Sequence, residues 1–297
     1  LIQILKRSSD LLLLLTAAIW GFAFVAQRQG MDSLDPFIYN GIRFALGALV
    51  VGSISFGRKS SVKQGSFPWL LGVVLFAAAS LQQWGIVWTT AGNAGFITGL
   101  YVVIVPFISL YKGDKLPRRL LISVFISLLG LYLINDNQDI EISFGNGLVL
   151  VGAFVWAWHV HLIDRLTQRY DTYFLAFSQF AVCAVLSIVS GLIYNLIRQP
   201  DYLTNALTYQ NIYAAGLPIL YGGLLSVGIA YTLQVYAQKR TLPTRAAIIL
   251  CLESVFALLG GWWLLQEKVS PQMLTGAGLL LLAMLVSLLK KTPAMSL

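Results

Sequence analysis

Arg43 and Glu253 are the residues best placed to do chemistry, because each interrupts a long apolar run at depth. Arg43 lies about eight residues into its run, roughly 12 Å along a helix rising 1.5 Å per residue, and Glu253 about nine residues into another. A charge so deep in hydrocarbon costs on the order of 3 kcal/mol or more, so both side chains are expected to face a protein interior. Arg43 fits an anion contact or an internal structural pair. Glu253 fits a proton-titrating coupling group, a contact for a substrate amine, or the partner of Arg43. Tyr39 precedes Arg43 by four residues and shares its helix face. Gln82, Gln83, Gln179 and Gln234 interrupt other runs, where amides either meet a polar ligand or join helices. Asn93 opens a run as an N-cap would. Tyr101 offers a hydroxyl, and Trp20 and Trp156 offer aromatic walls or plain packing. With His159 added, the candidate substrate-binding set is Trp20, Tyr39, Arg43, Gln82, Tyr101, Trp156, His159, Gln179, Gln234 and Glu253.

Other chemistries find little footing. His159 and His161 are the only histidines. Two residues apart on a helix, they point about 200° from each other and cannot share a metal. The chain has no HExxH motif. Gly145-x-Gly147 lacks the flanks of a dinucleotide fingerprint and no Walker lysine follows, so no nucleotide site is expected. Cys183 and Cys251 both sit in apolar runs and read as buried thiols rather than a disulfide. No catalytic residue, metal or cofactor is expected. With no ATP site, any driving force must come from a gradient of substrate, protons or another ion.

Groups at such depth must be carried by membrane-spanning elements, and the composition supplies them. The 297 residues are 58% hydrophobic and only 11% charged, against about 25% charged in soluble domains. Mean hydropathy is +0.77. A cytosolic enzyme, a secreted disulfide scaffold and a disordered chain are all excluded. Ten apolar segments are expected as helices, over 11–29, 36–56, 67–89, 93–111, 119–135, 146–164, 172–197, 211–237, 244–265 and 271–289. Lys6 and Arg7 before Leu11 to Leu15 resemble a signal peptide, but the run continues through Trp20 to Val25 without a cleavage signal, so it is read as the first span.

The net charge of +8 marks loops at one membrane face rather than a nucleic-acid partner. With both termini inside, the inner segments hold 16 basic residues: Lys6, Arg7, Arg58, Lys59, Lys63, Lys112, Lys115, Arg118, Arg119, Arg165, Arg169, Lys239, Arg240, Arg245, Lys290 and Lys291. The outer segments hold three, Arg28, Arg198 and Lys268, and also carry Asp136, Asp139 and Glu141. Cytoplasmic termini in a cell membrane are therefore expected.

The two halves repeat. At an offset of 136, Trp20 to Val25 (WGFAFV) meets Trp156 to His161 (WAWHVH). At the same offset Asp35-Pro36-Phe37 meets Asp171-Thr172-Tyr173, and Arg43-Phe44 meets Gln179-Phe180. At an offset of 152, Leu81-Gln82 meets Leu233-Gln234 and Ala94-Gly95-Phe96-Ile97 meets Ala246-Ala247-Ile248-Ile249. Tyr101 then answers Glu253. Five spans per half is an odd number, so the second half must be inverted relative to the first. The expected fold is all-α, a polytopic membrane protein of ten transmembrane helices in two inverted five-helix repeats, 1–141 and 142–297.

At these residues the chain resembles the ten-span EamA branch of the drug/metabolite transporter superfamily. The resemblance is carried by WGFAFV in the first span, Asp35-Pro36 and Arg43-Phe44 in the second, Asn93-Ala94-Gly95-Phe96, Pro106 and Gly113-Asp114 around the fourth, and Arg245-Ala246-Ala247, Leu252-Glu253-Ser254 and Gln266-Glu267-Lys268 around the ninth. It covers nearly the whole chain. It implies five-plus-five inverted repeats around a central cavity, and export of small metabolites, often amino acids, by alternating access. Where the family often has Leu-Glu-Pro, this chain has Leu252-Glu253-Ser254, so a straighter ninth helix is expected. An integral membrane enzyme or lipid-modifying protein and a passive channel or facilitator are the competing readings; the acid and histidine cluster an enzyme would need is missing from the sequence. The expected partners are a small metabolite and the bilayer, with proton or other ion coupling, substrate identity and oligomeric state left open. The fifth and tenth spans, free of mid-span charge or amide, are expected at the periphery.

Overall fold

The computed structural model describes residues 2–57, 66–134, 143–198 and 209–289. Expectations placed on Arg58, Lys59, Lys63, Asp136, Asp139, Glu141, Lys290 and Lys291 lie outside the described residues.

The described chain is helical, with no strand. The first three helices are α1 (Ile2–Gly30), α2 (Pro36–Phe56) and α3 (Trp69–Ile86). The fourth expected span is two helices, α4 (Ala91–Gly99) and α5 (Tyr101–Tyr111). Then come α6 (Arg118–Ile134), α7 (Phe144–Leu166) and α8 (Thr172–Arg198). The eighth expected span runs through α9 (Tyr209–Ala214), α10 (Gly216–Leu220), a π-helical segment π1 (Tyr221–Tyr231) and α11 (Thr232–Gln238). The ninth is α12 (Pro243–Leu250) and α13 (Glu253–Leu265), and the last is α14 (Pro271–Leu288). Among the described residues, nine helical stretches are long and apolar enough to cross a membrane. The fifth expected span, α6, has 17 residues and is not among the nine, since it sits at the lower limit for crossing about 30 Å of hydrocarbon. Leucines, phenylalanines, isoleucines and tryptophans stand exposed along the outer faces, Leu49, Phe107, Phe125 and Trp263 among them, as lipid-facing helices require.

Local chemistry sets where the helices begin. The Asp35 carboxylate accepts from the backbone N–H groups of Phe37 and Ile38, with Pro36 at the first helical position. Asp171 does the same for Tyr173 and Phe174 at the start of α8. Thr90 caps α4 by accepting from the Asn93 N–H. Asn93 is thus not the cap expected of it; it lies one turn inside, because the shorter Thr90 side chain already satisfies its donor. Gly113 follows α5 at φ +86°, a left-handed position that L side chains rarely adopt, which accounts for a glycine there.

The ninth span corrects the expectation of a straight helix. It breaks at Cys251-Leu252 although no proline follows. Leu252, Ser254 and Val255 donate to carbonyls three residues back rather than four, which tightens the chain there. Two side chains then lock the break onto α4: the Ser254 hydroxyl donates to the Gly95 carbonyl at 2.9 Å, and the Cys251 thiol to that of Gly99 at 3.8 Å. Gly99 permits this approach, since a Cβ there would lie 2.9 Å from Ser254 Oγ. The fourth span breaks at Leu100, again with bonds to the third residue back.

The eighth span is also not a plain α-helix. Its middle 11 residues are π-wound, a feature that recurs at functional sites. Side chains from the first two helices reach its backbone or press on its glycines. Trp20 Nε1 donates to the Ser226 carbonyl at 3.2 Å, Thr16 to that of Ala230 at 3.2 Å, and a Cβ on Gly222 would lie 3.1 Å from the Tyr39 hydroxyl.

In the packing, α2 lies on α8 and on π1, α3 on α7 and on α8, α1 on α13 and on π1, α4 on α7, and α6 on α14. The last pair meets glycine to glycine: a Cβ on Gly276 would lie 2.5 Å from the Gly130 carbonyl, and one on Gly130 would lie 2.8 Å from that of Gly276.

Candidate functional site

Where α1, α2, α3, α7 and π1 converge on the two helix breaks, they line a narrow cavity of about 40 Å³. Seven of the ten sequence candidates line it: Trp20, Arg43, Gln82, Tyr101, Trp156, Gln234 and Glu253. Neither α6 nor α14 contributes to the wall.

Aromatic rings form the apolar side. Tyr231 is their centre, 4.5 Å from the Trp20 ring and stacked on Trp156 at 6.1 Å. Phe44 and Phe180 back it at 6.0 and 5.9 Å. Trp20 is held by its bond to the Ser226 carbonyl, and Trp156 Nε1 donates to Gln82 Oε1 at 2.9 Å.

The polar side divides into satisfied and unsatisfied groups, and this division decides what the cavity can do. Gln82 is a hub. Its oxygen accepts from Trp156 and, at 3.4 Å, from Thr98, while its amide donates to Gln27 Oε1 at 3.1 Å. With its bonds committed to protein, Gln82 fixes the wall. Gln234 Oε1 is buried and has no hydrogen-bond partner, while the Tyr101 hydroxyl lies beside the Glu253 carboxyl, within reach of it. An unpaired buried polar group costs about 1–3 kcal/mol, so Gln234 marks where a ligand's donor would be welcomed.

Arg43 is held by a bond from Nε to Asn40 Oδ1 at 2.8 Å. Its guanidinium lies 4.9 Å from the Phe44 ring centroid and 5.6 Å from that of Tyr39, an attractive cation–π arrangement. Among the described residues the ion pairs are Arg28–Asp32 and Arg245–Asp10. Arg43 and Glu253 therefore face one cavity without pairing, and the bare structural pair between them is absent. Both side chains line the one cavity with its aromatic walls.

Three candidates stand behind the wall. Tyr39 is fully buried and donates to the Pro218 carbonyl at 3.1 Å. His159 Nε2 lies 2.8 Å from Gln179 Oε1, both side chains fully buried. His161 meets the Val105 carbonyl at 3.0 Å, so the two histidines diverge. Among the described residues no three His, Cys, Asp or Glu side chains gather as metal ligands.

Seven wall residues were missed by sequence reasoning: Phe24, Gln27, Thr98, Val160, Ser226, Tyr231 and Leu250. A signal existed for some. Phe24 is one turn from Trp20 and Val160 is its counterpart at the 136-residue offset, while Thr98 and Leu250 correspond at the 152-residue offset. Tyr231 is one turn before Gln234 but lies in the π-wound segment, whose register an α-helical reading gets wrong.

Comparison with known proteins gives a consistent picture. The model of the EamA-like transporter family matches residues 7–136 and again 143–289. An "Uncharacterized transporter" of Archaeoglobus fulgidus is 30% identical over 280 residues, covering 94% of this chain and 85% of that protein. The "Uncharacterized transporter YoaV" of Bacillus subtilis is 22% identical over 270 residues, covering 87% of this chain and 89% of that protein. A solved structure described as "Crystal structure of protein" superposes with a TM-score of 0.74 at 17% identity, over 95% of this chain and 96% of that one. At that identity it shows likeness of fold alone.

Proposed function

Because the chain belongs to the EamA-like transporter family, we propose that it is a secondary carrier that exports small zwitterionic metabolites such as amino acids, by alternating access around the central cavity. The observation that carries this reading is the cavity itself: Arg43 and Glu253 face it unpaired with each other, beside an unpartnered acceptor on Gln234. Arg43 takes the ligand carboxylate. Glu253, helped by Gln234, takes the ammonium. The aromatic wall of Trp20, Trp156 and Tyr231 contacts the remainder.

Alternating access needs two near-equivalent packings, which ten spans in two inverted five-helix repeats supply. Several observations support that arrangement. Ten of the wall residues form five pairs at the two repeat offsets: Trp20 with Trp156, Phe24 with Val160, Gln82 with Gln234, Thr98 with Leu250, and Tyr101 with Glu253. The packing pairs answer one another too. α3 on α7 corresponds to π1 on α1, α3 on α8 to π1 on α2, and α4 on α7 to α12–α13 on α1, while α2–α8 and α6–α14 are self-related. The helix breaks at Leu100 and Leu252 also correspond. Asp35 and Asp171 cap corresponding helices in the same manner. On this reading α6 is the fifth span, the halves divide as 1–141 and 142–297, and both termini are cytoplasmic in the cell membrane.

Glu253 is the group through which protons would couple to transport, since it is the one carboxyl on the cavity wall among the described residues. The test is counterflow in proteoliposomes across a metabolite panel, with and without a pH gradient. Accelerated exchange of amino acids over neutral metabolites supports the reading. Exchange of none of the panel, or of uncharged solutes alone, overturns it.

A further inference from the structure

A second pocket, sharing no lining residue with the central cavity, opens between the start of α6, the segment joining α11 to α12, and α1. It has a volume of about 110 Å³, and its wall includes Asp10, Arg119, Arg240, Leu242 and Arg245. Three arginines face one carboxylate there, and that carboxylate is already engaged in the Arg245–Asp10 ion pair. Two positive charges are left uncompensated by the described wall. Arg119 Nε and Arg245 Nε are both buried without a hydrogen-bond partner. Arg119 does reach the Leu289 carbonyl through Nη1, which holds its guanidinium in place and leaves the Nε donor free. Arg240 is exposed and rests on the Tyr236 ring, with 5.0 Å from Cζ to the centroid. Two helices, α6 at Arg118 and α12 at Pro243, begin at this pocket, so their partial positive ends add to the same field.

Buried guanidinium donors without acceptors, in a pocket of net positive charge, call for an anion with several acceptor oxygens. The wall is also amphipathic. Leu242 is 54% exposed beside the arginines, at a rim where the polar loop segment meets the apolar helices. We propose that this pocket binds a phosphate-type anionic group, with the phosphodiester headgroup of an anionic lipid as the occupant its apolar rim favours. The headgroup oxygens accept from Arg119, Arg240 and Arg245, and an acyl chain lies against Leu242. Asp10 keeps Arg245 oriented.

The test uses the full chain purified in neutral detergent. Native mass spectrometry counts retained dioleoyl phosphatidylglycerol against dioleoyl phosphatidylcholine, and thermal melting is followed with added inorganic phosphate. The wild type should retain phosphatidylglycerol in preference. Each Arg near a membrane surface contributes about fivefold in affinity, so Arg119→Gln and Arg240→Gln should each weaken retention about fivefold. Arg119→Lys should keep most of it, and Arg118→Gln, at an exposed position off the wall, should change nothing. Should Arg119→Gln fail to fold, the exposed Arg240 carries the test. If inorganic phosphate alone stabilises the wild type and not the glutamine variants, the site takes a free anion of the same chemistry. Equal retention of both lipids with no phosphate effect, or glutamine variants that bind as the wild type does, overturns the proposal.

Discussion

Glu253 is held in place by the close approach of α1, and replacing Gly21 with alanine tests how tightly. A Cβ on Gly21 would lie 2.6 Å from the Glu253 carbonyl and 2.8 Å from the Ala257 nitrogen, with the Phe256 Cβ closer still. Backbone atoms cannot rotate away, and contacts of this kind relax only near 3.5 Å, so α1 and α13 must separate by about 1 Å. Overpacking of that size costs about 1–3 kcal/mol. The separation begins at the residue that opens α13, so it moves the carboxyl of Glu253 relative to Arg43. Gly21→Ala should therefore lower the melting temperature of the purified protein and weaken amino-acid-induced stabilisation about tenfold or more, measured by thermal melting with graded ligand. Gly147→Ala is the control: nothing lies within 4 Å of its Cβ, and the helix gains about 0.5–1 kcal/mol of propensity. Equal melting and equal ligand response for Gly21→Ala and the wild type would refute the claim that this contact positions Glu253.

Asp35→Ala and Asp171→Ala should each cost about 0.5–2 kcal/mol by loss of the cap, with the former costing more because Asn195 Nδ2 also donates to Asp35 at 3.1 Å; paired thermal melts measure the difference. Burial raises the Asp35 carboxyl above its usual range against the pull of its hydrogen bonds to Ile38, Asn195 and Phe37. With the folded value above the unfolded one, the penalty for its ionised form is present above the folded pKa and vanishes below the unfolded one. The wild type should thus gain stability relative to Asp35→Asn as pH falls through that window, and an opposite slope in melts against pH would contradict the assignment. Ser254→Ala removes the donor to the Gly95 carbonyl and should cost about 0.5–1.5 kcal/mol in thermal melting. Single cysteines in 57–66 and 112–118 should label from the cytoplasmic side and those in 136–143 from the outside; the reverse pattern would sink the orientation and the inverted repeat together.

Nine of the expected spans were legible because hydrocarbon imposes long apolar runs, and Asp35-Pro36 and Asp171-Thr172 announce helix starts by local chemistry alone. The break before Glu253 was not. Proline is the visible signal for a broken helix, whereas here the break is held by Ser254 and Cys251 on carbonyls of α4, contacts that exist only once the two spans pack. The π-wound segment was hidden for the same reason, since side chains of α1 hold its carbonyls from 206 and 214 residues away in sequence. That register shift brings Tyr231 and Ser226 to the cavity unannounced. Tyr39, His159 and Gln179 share faces or spans with wall residues, but the Tyr39 hydroxyl is met by Pro218, and His159 Nε2 and Gln179 Oε1 meet each other, a pairing that spacing cannot reveal.

Counterflow of a labelled amino acid in proteoliposomes, comparing the wild type with Arg43→Gln, Glu253→Gln and the double variant, bears most directly on the central claim that the two charges receive opposite ends of one ligand. Since Arg43 and Glu253 form no ion pair, the account predicts that both single variants fold, that each loses counterflow of the zwitterion, and that the double variant recovers nothing. Singles that transport normally, or singles that misfold and a double that regains fold and transport, would contradict it.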